Sequence, residues 1–428
     1  MDTSFEEINY PLTFRQEDSK TLGNHLKLRH CVELVGMKRV GISNFLRFFL
    51  NKKGVVQEFI DKKEYHFFVT VDLNDLIEIE ILPFWILTFK RLVDRISVLP
   101  IDEAVKKEIN VLFTGAIQSQ DIFLTVDALR KSLVLICKEN IFPTLFLLRF
   151  DRVGQVVNKQ FYANLVGLRE ATAGRLSYVF TSFRTLDRIA PEVFERKLMS
   201  EFSHEMYLQP AKKEDFEVIF ESLASRYKLE GGKTAEEIIK LCGGHVQYLQ
   251  LASIILSQRK EKTDIGKIVE VLESDERMRY LGEEIWESLR EGEQEVLMNV
   301  IGAKQFDPEK AKYLWVTGIL DEKNEVFSKL FADSLGKHDN GVLNGKGDDK
   351  VEFTKKEHLL YNFLLENIGE VCEREKIIEA VWSEVEDLGV SDWTIDRLVA
   401  RLRTKLKKQG SKYQVVTVKT RGYKLLQS

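Results

Sequence analysis

The first half of the chain alternates short apolar runs with longer stretches of helical spacing. Strand-length apolar runs occur in CVELVG, YHFFVTVDL, PTLFLLRFD and LSYVFTS. Between these runs, apolar residues recur three and four positions apart, as on one face of a helix. Strands that alternate with helices predict a parallel sheet with crossover helices. We therefore expect a multidomain α/β protein.

From about residue 206 the strands stop and the pattern becomes helical. KKEDFEVIFESLASRYKL and TAEEIIKLCGGHVQYLQLASIILSQ keep helical spacing, and EIWESLREGEQEVLMNVIG, PEKAKYLWVTGIL and EVFSKLFADSL predict two helices and a short hairpin. The stretch GKHDNGVLNGKGDDK, residues 336–350, has four glycines and no apolar periodicity. That composition is typical of a flexible linker, here in front of a small C-terminal module.

The pattern of the C-terminal module predicts a helix followed by a hairpin. SDWTIDRLVARLRTKLKK has Ser391 or Asp392 as its N-cap, and YQVVTVKTRGYKLL alternates like two strands around a turn at residues 420–422. The helix has an apolar stripe and an opposite polar stripe. The apolar stripe is Ile395, Leu398 or Val399, Leu402 and Leu406, and the polar stripe is Thr394, Arg397, Arg401, Thr404 and Lys405.

Charge is distributed very unevenly within this module. Residues 351–396 contain four basic and twelve acidic side chains, whereas residues 397–428 contain ten basic side chains and no acidic one. The net charge of the chain is −4, so a surface for nucleic acid must be local. Lysines and arginines grouped in this way bind nucleic acid by displacing the cations condensed on its phosphates. An exposed stripe of threonine and arginine suits the DNA major groove, where arginine bonds guanine edges.

The module resembles the winged helix-turn-helix domain of OmpR/PhoB-type response regulators over residues 351–426. FTKKEHLLYNFLLENIGEVCEREKIIEAVW is similar to the opening helices of that family, VSDWTIDRLVARLRTKL to its recognition helix and VVTVKTRGYKL to its wing. The resemblance implies binding of double-stranded DNA. Bases would be contacted by Arg397 and Arg401 with Thr394 at the helix start, and the DNA backbone by Trp393, Arg403, Lys405, Lys419, Arg421 and Tyr423. The sequence departs from the family at Trp393, where arginine is usual, and at Leu398, where a polar residue is common.

The segment GMKRVGISN, residues 36–44, follows the spacing of a phosphate-binding loop, G-x-x-x-x-G-K-[ST]. Gly36, Gly41 and Ser43 fit this spacing, but Ile42 occupies the position of the lysine. That lysine normally reaches the β- and γ-phosphates, and its loss weakens nucleotide binding. Lys38 or Arg39 is a candidate substitute cation. The alternative is a strand–turn–helix junction that keeps its glycines for geometry alone.

Residues 20–335 resemble an AAA-related STAND ATPase in the order of six motifs. The motifs are VELVGMKRVGISNFLRFF for the phosphate loop, PTLFLLRFDRV for the metal-binding strand, LSYVFTSFRTLDRI for the sensor strand, YLQP and CGGHVQYLQLA for the lid, and YLWVTGIL with FSKLFADSL for an internal winged helix. In the second lid motif, Val246 replaces a proline. The resemblance implies a nucleotide site formed by Gly36, Lys38, Gly41, Ser43, Asp151, Arg184 and His245.

The acidic residues needed for hydrolysis are missing in either possible register. If RFDRV is aligned on the family's EFDRL, Leu148 replaces the metal-binding acid and Arg149 replaces the catalytic acid. If Asp151 is the metal-binding acid instead, Arg152 follows it where a glutamate is expected. We expect a pseudo-ATPase with no catalytic residue and no protein metal site. Binding of ATP or ADP with Mg²⁺ and slow hydrolysis stay open.

Other features exclude several classes of protein. No apolar run approaches the ~20 residues of a membrane helix: ILPFWILTF and TLFLLRF are only of strand length. The start MDTSFEEINYPLTF lacks the features of a signal peptide, so we expect a cytoplasmic protein. The four cysteines form no CxxC pair and are expected as reduced core thiols. Asp72 and Asp75 are a candidate metal pair, with a strand end and helix cap as the simpler interpretation.

These observations predict six segments. They are an N-terminal arm (1–20), a degenerate P-loop ATPase-like α/β domain (21–205), a helical lid (206–275), an internal winged helix (276–335), a flexible linker (336–350) and an OmpR/PhoB-like winged-helix domain (351–428). The first hypothesis is a DNA-binding transcriptional regulator on a pseudo-ATPase scaffold that self-associates or binds a protein partner. The second is a nucleotide-switched STAND ATPase that oligomerises. The third is a protein-interaction adaptor.

Overall fold

The computed structural model describes residues 5–61, 63–229, 231–259, 265–335, 353, 355–381, 392–418 and 421–427. The chain divides into two compact units, Met1–Asp339 and Asn340–Ser428. The predicted linker at residues 336–350 lies outside the described residues. In the part of the chain that the structure describes, no helix is both long enough and apolar enough to cross a membrane.

The first unit is built on a five-stranded parallel sheet with strand order β2-β3-β4-β1-β5. The predicted parallel sheet is thus confirmed, with one strand more than the four expected. The strands are β1 Cys31–Val35, β2 Tyr65–Asp72, β3 Ile141–Leu148, β4 Ser177–Ser182 and β5 Ser203–Tyr207. The fifth strand, SHEMY, escapes the sequence pattern because a sheet-edge strand needs no continuous apolar run.

Helices cover both faces of this sheet and then continue as an all-helical segment. Around the sheet they are α1 Gln16–Lys27, α2 Ile42–Asn51, α3 Val55–Phe59, α4 Ile81–Ile96, α5 Glu103–Ser119, α6 Ile122–Lys138, α7 Lys159–Ala171, α8 Leu186–Ile189 and α9 Arg196–Phe202. After the sheet they are α10 Lys213–Tyr227, α11 Lys233–Cys242, α12 Val246–Ser257, α13 Ile268–Ser274, α14 Glu276–Glu287, α15 Glu291–Ile301 and α16 Pro308–Val316. A hairpin bridge between Leu320 and Val326 and a helical segment at 329–335 follow.

The strand-length run ILPFWILTF forms the start of helix α4. Its buried residues continue at helical spacing through Phe84, Thr88 and Leu92. The run is therefore part of the apolar face of a long helix. The length of an apolar run alone does not distinguish a strand from a helix segment.

Two hydrophobic cores lie against the two faces of the sheet. The alternation of β1 places Val32 and Leu34 in the core that includes α1, α2 and the helices after the sheet, while Cys31 faces the other core with α4, α6 and α7. Glu33 is buried in the same strand. Its carboxylate accepts hydrogen bonds from the Ser203 hydroxyl (2.5 Å) and the Leu186 N–H (2.7 Å).

The second unit contains three helices and a three-stranded antiparallel sheet of order β6-β8-β7. Its elements are α17 Lys355–Glu366, β6 Cys372–Glu373, α18 Arg374–Val381, α19 Asp392–Lys408, β7 Tyr413–Val418 and β8 Gly422–Gln427. The predicted helix and hairpin are both present, and Leu398 and Val399 both lie in the core. Gly422 has φ 141°, and a Cβ there would lie 2.0 Å from the Cys372 carbonyl oxygen, so glycine is required where β8 meets β6.

All four cysteines of the chain are free thiols with buried side chains. Burial raises the pKa of the Cys31 thiol to about 11. This keeps it protonated near neutral pH, as expected for a core residue.

Candidate functional site

The loop at residues 36–41 joins β1 to α2, which is the placement of a phosphate-binding loop in a strand–loop–helix unit. Helix α2 begins at Ile42, with Gly41 as its N-cap at φ 117°. The Gly36 N–H donates to the Ser182 carbonyl oxygen at the end of β4 (3.2 Å). The backbone arrangement expected from the glycines is therefore present.

The loop is packed against α12. Met37 and Val40 are buried in the hydrophobic core, together with Val246 of α12. A Cβ on Gly41 would lie only 2.4 Å from the Val246 Cγ2 atom. Val246, which replaces the proline of the lid motif, therefore sits directly on the second glycine of the loop.

His245 fastens the start of α12 to the same loop. Its Nδ1 accepts a hydrogen bond from the Tyr248 N–H (3.3 Å), so the neutral ring carries its proton on Nε2, which donates to the Lys38 carbonyl oxygen (2.9 Å). The ring is fully buried, and burial lowers the pKa of His245 to about 4. The neutral imidazole thus connects the start of α12 to the loop at residues 36–41 by a hydrogen bond.

Two other predicted site residues, Lys38 and Asp151, interact through their charges. The Lys38 ammonium lies over the Phe183 ring, 4.3 Å from its centre. Burial raises the pKa of Asp151, and the charge of Lys38 partly offsets this effect. Ser43 lies in the first turn of α2 and is partly buried.

Arg184, the predicted sensor arginine, is engaged by helices α15 and α16. Its guanidinium makes two hydrogen bonds to the Glu293 carboxylate (2.7 and 2.6 Å) and one to the Ser288 carbonyl oxygen (2.9 Å). Its Cζ lies 3.5 Å above the Tyr313 ring, and the Tyr313 hydroxyl donates to the Phe183 carbonyl oxygen (2.7 Å). Arg184 and Glu293 are both buried, so the pair holds the segment after β4 against α15.

A second arginine links the loop to the helices after the sheet. Arg39 has φ 63°, and its Nε lies 3.3 Å from a carboxylate oxygen of Glu284 in α14. Sequence reasoning missed Glu284, Glu293 and Tyr313 as partners. The one local signal was at Glu293, whose carboxylate accepts from the Arg290 N–H as in a capping box. That signal marks a helix start and does not reveal its partner Arg184.

The carboxyl ends of β2 and β3 are joined by an ion pair. Arg149, at the position of the expected catalytic acid, has φ 59°, and its guanidinium pairs with Asp72 at the end of β2. The Arg149 N–H donates to the Thr181 hydroxyl (2.9 Å). Asp72 also caps the following turn by accepting from the Asn74 N–H (3.0 Å), and Asp75 pairs with Arg91. Both aspartates thus have partners within the fold.

In the second unit, three of the predicted DNA-contacting residues make contacts inside the module. Arg403 donates to the Val415 carbonyl oxygen (2.8 Å) and the Thr417 hydroxyl (2.7 Å) of β7. Lys405 pairs with Glu357 of α17 (2.6 Å), a carboxylate whose side chain is only 1% exposed. Tyr423 is buried, and its hydroxyl donates to Asp396.

The remaining predicted contact residues are placed as follows. Arg401 is partly buried on α19, and Arg421 is exposed at the turn between β7 and β8. Trp393, Thr394 and Arg397 lie on the described backbone of α19, but their side chains are outside the described part of the structure, as is all of Lys419. Helix α19 and the β7–β8 hairpin therefore carry the basic segment on two adjacent elements.

Comparisons with known proteins agree with this division. Residues 348–425 match the family described as "Transcriptional regulatory protein, C terminal". The transcriptional regulatory protein YxdJ of Bacillus subtilis (strain 168) is 33% identical over 78 residues, which are 18% of this chain and 33% of that protein. The chain thus covers about a third of the length of that relative.

Solved structures similar to the chain include the Walker-type ATPase paby2304 of Pyrococcus abyssi, at 18% identity and a TM-score of 0.47, covering 75% of this chain and 95% of that one. The ORC2 protein of Aeropyrum pernix has 13% identity and a TM-score of 0.45, covering 80% of this chain and 99% of that one.

The sheet with its glycine loop and the family match define the two parts of the molecule. Residues 348–425 therefore form a domain of the OmpR/PhoB-type transcriptional regulators, and they follow a first unit that has a five-stranded parallel sheet with a glycine loop after β1.

Proposed function

We propose that the protein is a DNA-binding transcriptional regulator whose ATPase-like core serves as a scaffold. Helix α19 and the β7–β8 turn bind double-stranded DNA, and the core senses a ligand or a protein partner, or mediates self-association. Such a regulator works in the cytoplasm, where its DNA is. The observation that carries the proposal is the stretch at residues 397–428, with ten basic and no acidic side chains, inside the family-matched domain.

The packing of α19 supports this role. The helix buries Ile395, Leu398, Val399, Leu402 and Leu406 in the module's core. Arg397, Arg401 and Thr404 are spaced four and three residues apart along this helix, which is the spacing of one helical stripe. Arginines on one stripe of a helix can bond guanine edges in the major groove, at about 1–3 kcal/mol for each good bidentate contact.

The test is a binding experiment with the full-length chain. A preferred duplex is first selected from a random-sequence library, and affinities for it and for an unselected duplex are measured by fluorescence anisotropy at several salt concentrations. The double variant Arg397→Ala/Arg401→Ala should lose affinity for the selected duplex by about 1–3 kcal/mol per base contact. The unselected duplex should be affected less.

Lys107→Ala/Lys138→Ala is the matched control, because it removes the same number of positive charges from exposed positions of the first unit. It should bind like the wild type. Unchanged binding in the arginine double variant, or equal losses in both variants, would refute DNA recognition by α19. DNA binding that is absent or insensitive to salt would favour the protein-interaction adaptor.

A second candidate function rests on the glycine loop between β1 and α2, which carries Lys38, and on the charge interaction of Lys38 with Asp151. A cation and a carboxylate at this point could hold a nucleotide and its Mg²⁺, which would make the core a nucleotide-switched STAND ATPase. Mg²⁺-dependent ATP turnover that is abolished by Ser43→Ala would support this function. The same turnover in wild type and variant would point to a contaminating enzyme.

A further inference from the structure

Three histidines from three different elements meet at the edge of the parallel sheet. His25 lies in the last turn of α1, His30 directly precedes β1, and His204 lies in the edge strand β5. Each can offer one ring nitrogen such that these atoms all lie within 4.8 Å of one another. We propose that His25, His30 and His204 form a binding site for a divalent transition metal of the zinc class.

The backbone fixes the first two histidines against each other. Helix α1 ends in a Schellman motif: Arg29 is left-handed at φ 59°, its N–H bonds the Leu26 carbonyl oxygen (3.0 Å), and the His30 N–H bonds the His25 carbonyl oxygen (2.9 Å). The residues at the positions of His25 and His30 in this motif touch each other and are usually apolar. Here both are imidazoles.

The third histidine is positioned by the register of the sheet. His204 pairs with Val32 of β1, and Val32 belongs to the core that includes α1. Residues of β5 alternate between faces, so His204 shares the α1 side with Met206, while Ser203 reaches Glu33 on the other side. The edge strand β5 and the end of α1 therefore place their histidines at the same point.

The distance between His25 and His30 matches that of two ligands on one metal ion. With zinc–nitrogen bonds of about 2.0–2.1 Å, two nitrogens on a tetrahedral ion lie about 3.4 Å apart, and the His25 and His30 Nδ1 atoms are 3.3 Å apart. The ring centres are separated by 5.5 Å (His25–His30), 5.0 Å (His25–His204) and 4.2 Å (His30–His204). Imidazoles sharing one ion have ring centres about 5 Å apart on the same geometry.

The chemistry of the cluster also suits a metal. Imidazole ligands suit Zn²⁺, Cu²⁺ and Ni²⁺ rather than Mg²⁺ or Ca²⁺. His204 is exposed, so a tetrahedral ion held by three histidines has its fourth position open to water.

The first experiment is equilibrium dialysis of full-length protein, prepared without a polyhistidine tag, against Zn²⁺. We expect one high-affinity Zn²⁺ per chain. His204→Gln should weaken its binding at least tenfold, since losing a ligand costs no less than losing an outer hydrogen-bond partner. His358→Gln is the control, because His358 is an exposed histidine on α17, in the other unit. It should bind like the wild type.

Co²⁺ reports the geometry of the site independently. The wild type should show the intense visible absorption of a four- or five-coordinate Co²⁺ complex, which Zn²⁺ displaces, and His25→Gln should lose it. Circular dichroism and thermal unfolding of each variant establish that it is folded. The proposal is overturned if the folded wild type binds no Zn²⁺ at 0.1 mM or so, or if His204→Gln and His25→Gln bind it as the wild type does.

Discussion

Arg184 illustrates how single residues at nucleotide-site positions are used within the fold. A sensor arginine needs a guanidinium directed at a phosphate, but the Arg184 guanidinium is shared between Glu293 and the Tyr313 ring. Glu293 lies 109 residues further along the chain. The missing lysine at Ile42 could be recognised from the sequence, because it is a local substitution in a known spacing. The partner of Arg184 could not, since tertiary packing alone brings Glu293 to it.

The Arg184–Glu293 pair should contribute strongly to the stability of the first unit. Glu293→Gln leaves Arg184 buried without its anionic partner, and breaking a buried pair in this way costs about 3–5 kcal/mol. We expect a loss of about 3 kcal/mol in the free energy of unfolding, because the amide keeps one acceptor. Urea unfolding of the full chain, followed by tryptophan fluorescence, measures it.

Glu295→Gln is the matched control for this change. Glu295 lies on the same helix, α15, and pairs with Lys310, but both side chains are largely exposed. Its substitution should therefore hardly shift the unfolding midpoint. Equal midpoints for Glu293→Gln and Glu295→Gln would show that the buried pair does not hold α15 in place.

His245 gives the stability of the first unit a defined pH dependence. Its folded-state pKa of about 4 lies below the usual value of 6.5, so the unfolded chain binds a proton between these values while the folded chain does not. Stability is therefore fully present above about pH 6.5 and decreases as the pH falls toward 4, by about 3 kcal/mol in total.

His245→Asn should remove this component, because asparagine is a good helix N-cap and does not titrate. Urea unfolding at pH 7 and pH 5 should show a smaller loss in the variant than in the wild type, by about 2 kcal/mol. Carboxylates titrate in both proteins and cancel in the comparison. Parallel losses in the two proteins would mean that His245 titrates normally.

At the scale of elements, the start of α12 closes the glycine loop. Val246 touches Gly41, and His245 bonds the Lys38 carbonyl oxygen. Gly41→Ala places a Cβ 2.4 Å from Val246 at φ 117°. We expect a loss of about 3 kcal/mol or more in the free energy of unfolding, from backbone strain and overpacking together.

Gly174→Ala separates the two contributions. Gly174 also has a positive φ, 72°, but a Cβ there meets no atom within 4 Å, so only the backbone strain of about 1–2 kcal/mol remains. Both variants are compared by urea unfolding. If Gly41→Ala costs no more than Gly174→Ala, α12 can move off the loop at little cost.

The second unit contains two kinds of basic residue: some are exposed, and others make hydrogen bonds within the fold. Arg421 is exposed at the β7–β8 turn, whereas Arg403 ties α19 to β7 through two hydrogen bonds. Arg421→Ala should reduce the slope of log affinity against log salt by about 1, with unchanged melting temperature. Arg403→Ala should instead destabilise the unit by about 1–2 kcal/mol, after allowance for its partial exposure.

Anisotropy titrations and differential scanning calorimetry measure these two effects. Lys376→Ala, an exposed substitution on α18, is the control and should leave both quantities unchanged. An unchanged melting temperature in Arg403→Ala would show that the contacts of Arg403 to β7 do not stabilise the unit. Arg403 would then be interpreted as a contact to the DNA backbone.

The sequence predicted elements best where one periodic pattern was long. Strands β1 to β4 and helix α19 were all expected, because buried strands and amphipathic helices have strong periodicities. Edge strand β5 was missed because its pairing with β1 is a tertiary contact of a short polar segment. His204 lies in that strand, so the histidine cluster could not be found without the fold.

At the scale of the whole molecule, the chain combines a core, whose glycine loop is packed against helices, with a basic module. The loop of the core is held by contacts from α12 and α14, through His245 and Arg39, and α15 holds the segment after β4 through Arg184. Val246 packs directly against Gly41 of this loop, and the loop has isoleucine in place of lysine at position 42. These features favour a static scaffold over a nucleotide switch.

Thermal unfolding of the full chain with nucleotide tests that conclusion. With 1 mM ATP and Mg²⁺, we expect a shift in melting temperature below about 1 °C, because a ligand that binds weakly at this concentration adds almost nothing to stability. A nucleotide bound with a Kd near 10 μM would add about 2.7 kcal/mol at this concentration and raise the melting temperature by several degrees. AMP with Mg²⁺ is the control, since it lacks the β- and γ-phosphates that a phosphate loop holds. A large shift with ATP and none with AMP would mean that α12 and α14 release the loop, and the nucleotide-switched ATPase would then replace the scaffold as the function of the core.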